Sequence, residues 1–511
     1  LNVNDKVDRA ALALLTAGAG SLEAAGEEAP RTPDEELLAG LWAALLGRER
    51  VGIHDDFFAL GGHSLLATRL VARVARVFGV ELPLSAVFQA PTVARLAERI
   101  VSLSSERAAA PMRPIPRGPG EALPLSFAQR RLWFLEQLDP GTALYNVPGE
   151  VRLVGPLDVA ALTGAWNEVL GRHEALRTVF PIRDGEPFQR IDPSESRTLS
   201  RIDLSGLPAN LREAETEREA VAEAARPFDL AHGPLCRGLL LRLGVEEHRL
   251  LVTFHHIVSD GWSLALFLEE LTALYGGEAA LPPLPVQYAD YASWQAEGMA
   301  GEVLERQLTY WRERLVGLPV LELPADRPRP AVRDSRGAVR SLELSAETVE
   351  AVERLARREG VTLFMALLGA FQILLARLTG EAAISAGTPV ANRRRPEVER
   401  LIGLFVNTLV LDVRVEDDPS LRDLLARVRE AALGAYAHQD LPFEIVVEQL
   451  QPNRALGQNP LFQAMFVLEE PLPARSAAGL ALEPVRRHSG TAKLDLLLAV
   501  SPRPDGGWDV L

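Results

Sequence analysis

The feature that most limits how this chain can fold is a break at residues 104–120. Ser104-Ser105-Glu106-Arg107-Ala108-Ala109-Ala110-Pro111 leads into Pro114, Pro116 and Pro119. Proline disrupts a helix interior and has no N–H to donate to a sheet ladder, so the segment reads as an extended tether, partly stiffened. The chain on either side must bury its own core. A Gly/Ala/Glu/Pro-rich stretch at 16–33 sets off the N-terminal residues in the same way.

Between these linkers, residues 33–103 keep helical spacing. Leu37, Leu38, Leu41 and Leu45 predict a first helix. A loop over 51–60 holds Gly52, Asp55 and Asp56, and a second helix over 64–78 places Leu66, Leu70, Val74 and Val77 on one face. A short helix over 83–88 and a last one over 93–103 complete a small all-α four-helix bundle. Ser64 falls in the first turn of the second helix. Its oxygen there can cap an orphan N–H, or carry a phosphodiester against the positive end of the helix dipole. Spacing alone leaves both open.

From residue 125 onward strand and helix patterns alternate, which predicts an α/β fold. Strands are expected at 149–154, 239–257, 383–387 and 408–415, and helices at 157–172, 263–275, 346–359, 362–378 and 420–437. The segment is long enough for two lobes of similar make, divided here as 121–290 and 291–511. A net charge of −15 argues against nucleic acid as a partner. No apolar run approaches the ~18 residues of a membrane span, and the N-terminus lacks signal-peptide character. The one cysteine, Cys236, lies in an apolar run and reads as core. With no intrachain disulfide possible, a reducing cytoplasm is expected. Lysine occurs only at positions 6 and 493, a hint of a GC-rich bacterial genome.

The run Arg249-Leu250-Leu251-Val252-Thr253-Phe254 leads into His255-His256-Ile257-Val258-Ser259-Asp260-Gly261. Neighbours on a strand point to opposite faces, so both imidazoles cannot enter one pocket. One is expected to be structural and the other to face a cavity, where it can exchange a proton near neutral pH. A metal site needs a third ligand that no nearby His or Cys cluster supplies.

Two sets of motifs identify a family. Asp55-Asp56-Phe57-Phe58-Ala59-Leu60-Gly61-Gly62-His63-Ser64-Leu65 resembles the attachment motif of peptidyl carrier domains of non-ribosomal peptide synthetases. Seven further stretches resemble condensation-domain motifs, in family order. Ser126-Phe127-Ala128-Gln129-Arg130-Arg131-Leu132-Trp133-Phe134-Leu135 opens the series. Arg172-His173-Glu174-Ala175-Leu176-Arg177-Thr178 and the His pair through Trp262 and Ser263 follow. Then come Tyr288-Ala289-Asp290-Tyr291, Ile402-Gly403-Leu404-Phe405-Val406-Asn407, His438-Gln439-Asp440-Leu441-Pro442 and Asn459-Pro460-Leu461-Phe462.

The resemblance implies two chloramphenicol-acetyltransferase-like lobes in a V with a central tunnel. Ser64 would carry 4′-phosphopantetheine, added by a phosphopantetheinyl transferase, and the tether would concentrate the attached thioester at the next site. The reaction implied is amide-bond formation between a donor thioester and the amine of an acceptor thioester on a downstream carrier. His256 is the implied active residue, with His255 beside it and a backbone N–H near Gly261 for the developing oxyanion. Asp260 is implied to pair with an arginine, for which Arg177 is the candidate. Arg131, Asn407, Trp262 and Ser263 are placed along the tunnel or in its walls, and His173, Glu174, His438 and Asp440 are read as packing. Lys6 resembles the lysine of an adenylation-domain tail, with Asp5 in place of glycine, so residues 1–32 read as that tail and a linker. Adenylation domains on either side are the implied partners. The opening motif and His63 before Ser64 favour ordinary condensation with an L-configured donor, over a dual epimerising domain or a recruiting platform for a tailoring enzyme. The family pattern continues past Lys493-Leu494-Asp495-Leu496 with a strand pair and a final helix, so the C-terminus is expected to be incomplete.

Overall fold

The computed structural model describes residues 30, 32–48, 50–78, 80–103, 112–118, 122–277, 281–327, 334–416, 418–450 and 459–511. The tail expected at 1–32, Lys6 included, lies almost wholly outside them, as do residues 104–111 of the tether. The described residues form two compact units, one drawn mainly from those up to 103 and one from those from 112 onward, 393–396 excepted.

The small unit is the expected helical bundle: α1 (Pro33–Leu46), α2 (Ser64–Phe78), α3 (Leu84–Gln89) and α4 (Val93–Leu103). Thr32 caps α1 by accepting the Glu35 N–H at 3.2 Å, and Pro33 follows where a missing N–H costs nothing. Leu38, Trp42, Ile53, Phe57, Leu70 and Leu96 are fully buried, each worth about 1.5–3 kcal/mol out of water. Trp42 meets Phe57 edge-on at 4.9 Å.

The large unit is built on two six-stranded sheets. The first contains β1 (Asn146–Val154), β2 (Ser200–Asp203), β3 (Cys236–Arg242) and β4 (Glu247–His255). β1 and β4 pair antiparallel, with Asn146 opposite His255. Side chains alternate across β4. Leu250, Val252 and Phe254 join a core with two helices, Val159–Arg172 and Gly261–Tyr275. Leu251 faces the other way, toward Ala220 on the helix Ala209–Ala225. The single stretch expected at 239–257 is in fact this β3–β4 hairpin. It breaks at Gly244, whose N–H donates to the Glu247 carbonyl at 3.0 Å.

The second sheet runs through β5 (Leu342–Leu344), β6 (Ala383–Val390), β7 (Asn407–Arg414) and β8 (Ala464–Leu468). The chain then leaves it. β9 (Arg475–Ala477) and β10 (Leu480–Val485) cross to the first sheet, where β10 pairs with β1 from Val154↔Ala481 to Glu150↔Val485. Residues 291–511 therefore do not make a lobe by themselves. Beyond Lys493, β11 (Leu496–Pro502) and β12 (Trp508–Val510) return as an antiparallel pair in the second sheet.

A further core joins the two sheets' surroundings. It contains Leu132, Phe180, Phe228, Ile257, Val258, Tyr288, Leu401, Leu404 and Phe405. Met112 of the tether is part of it. Ile115 N–H donates to Asp290 at 2.8 Å, and Arg117 bridges Asp290 at 2.9 Å and Glu174 at 3.0 Å. Residues 112–117 are thus anchored to the large unit, a correction to the reading of 104–120 as tether throughout. Among the described residues no single helix is long and apolar enough to cross a membrane.

Candidate functional site

Ser64 is the first residue of α2. Its carbonyl accepts from the Thr68 hydroxyl at 2.9 Å, but its own hydroxyl makes no hydrogen bond among the described residues. The oxygen does not take the capping role that spacing allowed. It stands half-buried and uncommitted at a helix N-terminus. The turn before it depends on Gly62, whose N–H donates to the Phe57 carbonyl at 2.8 Å. A Cβ at that position would strike the Phe57 ring and carbonyl.

In the large unit, strand geometry ends at His255 and a 3-10 turn, His256–Val258, begins. The change of conformation separates the two imidazoles. His255 is 1% exposed, between the rings of Phe228 at 5.9 Å and Tyr145 at 6.5 Å. Its Nδ1 accepts the Ile257 N–H at 3.1 Å. Burial, then the neighbouring His256, Lys493 and Arg237 charges, lower its pKa to about 3. His255 therefore holds the turn and is out of reach of a substrate, a correction to its placement among catalytic residues. His256 is only partly buried. Its N–H donates to the Tyr145 carbonyl at 2.8 Å, and its ring Nδ1 lies 2.7 Å from the Ser259 carbonyl. A carbonyl only accepts, so Nδ1 carries the hydrogen and Nε2 keeps a lone pair. Burial first, then Lys493, lowers the His256 pKa to about 4, against smaller upward pulls from the Ser259 carbonyl and Asp260.

Asp260 caps the helix Gly261–Tyr275. It is 2% exposed, and its Oδ1 accepts from the Ser263 N–H at 2.8 Å and the Ser263 hydroxyl at 2.7 Å. Oδ2 accepts the N–H groups of Phe405 and Val406 at 3.0 and 3.3 Å. Ser263 Oγ also accepts the Gly403 N–H at 3.0 Å, and Trp262 Nε1 donates to the Glu399 carbonyl at 3.2 Å. The residues after the His pair thus fasten the first lobe to the segment 399–406. Gly261 is exposed, with open space where a Cβ would project. Its N–H makes no hydrogen bond among the described residues.

Residues 120–510 match the condensation domain family. The chain belongs to it. Residues 36–100 match the phosphopantetheine attachment site family, so a carrier domain built for covalent 4′-phosphopantetheine precedes the condensation domain. The chain is 47% identical to one of the linear gramicidin synthase proteins of Brevibacillus parabrevis over 99% of its own length and 7% of that protein. It is 47% identical to a phosphinothricin tripeptide synthetase of Streptomyces viridochromogenes over 77% of its length and 37% of that protein. It thus spans only a small part of these relatives. Among solved structures, the X-domain from teicoplanin biosynthesis superposes with a TM-score of 0.72 at 27% identity, covering 78% of this chain and 91% of that one. The first condensation domain of the calcium-dependent antibiotic synthetase gives 0.64 at 25%, covering 77% and 90%.

Within the condensation domain, one sequence expectation changes. Arg177 does not pair with Asp260. It donates to the Asp192 carbonyl at 2.7 Å and lies 3.9 Å from Glu174. Asn407 is buried, and its Nδ2 donates to the Gln439 and Leu441 carbonyls at 2.8 Å each. Its Oδ1 accepts the Phe443 N–H at 3.0 Å, so it pins the turn into the helix Phe443–Leu450. Arg131, on the helix Phe127–Leu138, pairs with Glu444 at 3.2 Å and lies over the Phe443 ring at 5.0 Å. His173 is structural, as its motif implies, with Nε2 2.7 Å from Glu270 and Nδ1 accepting the Ile402 N–H at 3.3 Å. His438 stacks on Tyr310 at 4.0 Å. Cys236 is core, and burial pushes its thiol pKa up.

Sequence reasoning passes over Lys493. Its ammonium lies 5.3 Å from the centre of the Tyr145 ring and acts on both histidines. Its rarity in an arginine-rich chain is the one signal that marks it.

Proposed function

We propose that the chain forms a peptide bond between a donor acyl group carried on Ser64 and the amine of an aminoacyl thioester on a downstream carrier. The 4′-phosphopantetheine arm on Ser64 supplies the donor as an activated thioester. Much of the remaining work is then to hold the partners in attack geometry, worth up to about 7–11 kcal/mol. The reading rests on His256. Its Nδ1–H is committed to the Ser259 carbonyl and its pKa is lowered to about 4, so at neutral pH its Nε2 is a fixed acceptor for the amine proton. The Gly261 N–H, exposed and uncommitted, is the donor assigned to the carbonyl oxygen as charge develops there; one such donor is worth about 2.7–4 kcal/mol. Asp260, Ser263 and Trp262 hold the turn that carries both groups.

The partners this reading requires are adenylation domains before and after the pair, a downstream carrier and a phosphopantetheinyl transferase. An L-configured donor and a bacterial cytoplasm complete it. The amino acids joined are set by adenylation pockets outside this chain. A recruiting platform without chemistry has no use for a histidine held as a free base, which favours catalysis.

The test is intact mass after incubation with a phosphopantetheinyl transferase and coenzyme A, followed by peptide formation from the loaded chain. The expected result is one added pantetheine phosphate arm in wild type, none in Ser64→Ala, and peptide formation lost in His256→Ala. A folded wild type that gains no mass, or a His256→Ala variant of unchanged rate, overturns the reading.

A further inference from the structure

Lys493 is not used by the reading above, yet it meets the reaction centre from the other lobe. It follows the hairpin that crosses to the first sheet and precedes β11 of the second. Of 54 basic side chains in the sequence only two are lysine, and this is the one among the described residues. The side chain is accessible to solvent. Its ammonium makes neither an ion pair nor a hydrogen bond among the described residues, and its one close partner is the face of the Tyr145 ring. Tyr145 is also the residue whose carbonyl holds the His256 N–H at 2.8 Å. The same residue thus locates the imidazole through its backbone and the ammonium through its ring.

The charged and titratable groups around this point are few. His256 faces Lys493 and Asp260, and His255 faces His256, Lys493 and Arg237. Arg131 is the charge that acts on Lys493. Glu444, the nearest carboxylate to Arg131, is already paired with it. Asp260 spends both oxygens on N–H and O–H donors. A cation with no carboxylate of its own, in a solvent-accessible place, is suited to meet an anion that arrives with the substrate.

We propose that Lys493 is the positioning charge of this centre: it keeps His256 as the free base that takes the amine proton, and it faces the negative charge that develops as the donor thioester is attacked. The proposal rests on His256 acting as the proton acceptor. In the step itself the C–N bond forms and the C–S bond breaks. The amine proton passes to His256 Nε2, and the sulfur leaves as thiolate and regains that proton. The lysine repels the proton on His256 while negative charge is absent and is balanced once it appears, so its effect favours the transition state over the resting enzyme. Crowding by the surrounding protein, then Arg131, lowers the Lys493 pKa to about 8, so it is still largely protonated at neutral pH.

The test follows the His256 ring by NMR against pH in the full chain, its signal assigned by its loss in His256→Gln. Wild type, Lys493→Arg and Lys493→Met are compared. Single-turnover rates are read with alanyl thioester on Ser64 and the N-acetylcysteamine thioester of alanine as acceptor. In Lys493→Met, His256 is expected to protonate about one pH unit higher, with the acid limb of the rate moving to match. Lys493→Arg, which keeps the charge, is expected to titrate as wild type does. Identical His256 titration in wild type and Lys493→Met overturns the inference whatever the rates do. If the titration moves as expected but wild type joins nothing, the reading of the reaction fails and the charge effect stands.

Discussion

Replacing Asp260 by alanine should cost far more stability than its position beside the catalytic turn suggests. The carboxylate is buried and accepts from Ser263 N–H and hydroxyl on one oxygen and from Phe405 and Val406 N–H on the other. Removing it deletes a helix N-cap, about 1 kcal/mol, and strands the buried Phe405 N–H and the partly buried Val406 N–H at about 1–3 kcal/mol each. The sum is about 3–7 kcal/mol, to be compared with about 5–15 kcal/mol for the stability of a typical domain. The assay is the urea midpoint of wild type, Asp260→Ala and Asp260→Asn, read by tryptophan fluorescence. Asp260→Asn keeps one acceptor oxygen and should fall between the other two. A loss below about 1 kcal/mol in Asp260→Ala would refute the idea that this side chain binds the lobes together, since an exposed pair contributes that much.

Gly62→Ala forces a Cβ onto Phe57 and should cost about 1–3 kcal/mol of carrier stability, seen as slower addition of the pantetheine arm to Ser64 by intact mass. Arg131→Met removes a half-exposed pair with Glu444 and a contact with Phe443. It should lower the urea midpoint by the equivalent of only about 1 kcal/mol, without abolishing peptide formation. His255 and His256 are held far below their ordinary value of 6.5, at about 3 and about 4. Between the folded and ordinary values the unfolded chain binds more protons than the folded one. Stability is therefore fully present above pH 6.5 and drains away as pH falls toward 4; urea midpoints measured across that range should show it, and His255→Gln should flatten the slope.

Local periodicity is enough for the carrier helices, and α2 begins and ends where the apolar face of Leu66, Leu70, Val74 and Val77 predicts. The helix Ala346–Glu359 likewise keeps its expected bounds. The β3–β4 turn escapes a local reading because Gly244-Val245-Glu246 has no proline or asparagine and sits between two apolar runs. The motifs point to His256 and Ser64, but not to which side chains serve them. Asp260 finds Phe405 and Val406 far along the chain, and no local pattern encodes such a meeting. Arg177 is a reasonable partner for Asp260 by charge, and only geometry shows it turned to Asp192. Lys493 carries no motif weight, and its significance emerges only once Tyr145 stands beside it.

The crossing of β10 to β1 also has a consequence in time. Val154 and its partner Ala481 are 327 residues apart, from 481 minus 154. At about 5–20 residues per second of synthesis, the first sheet waits roughly 15–65 s for its neighbouring strand to emerge. Throughout that interval β1 presents a row of unsatisfied N–H and C=O groups, a template for any passing strand. The nascent chain therefore has a fixed window of vulnerability that closes only when β10 is made. Slowing the ribosome between Val154 and Ala481 should increase the aggregated fraction, while slowing it after Val485 should not.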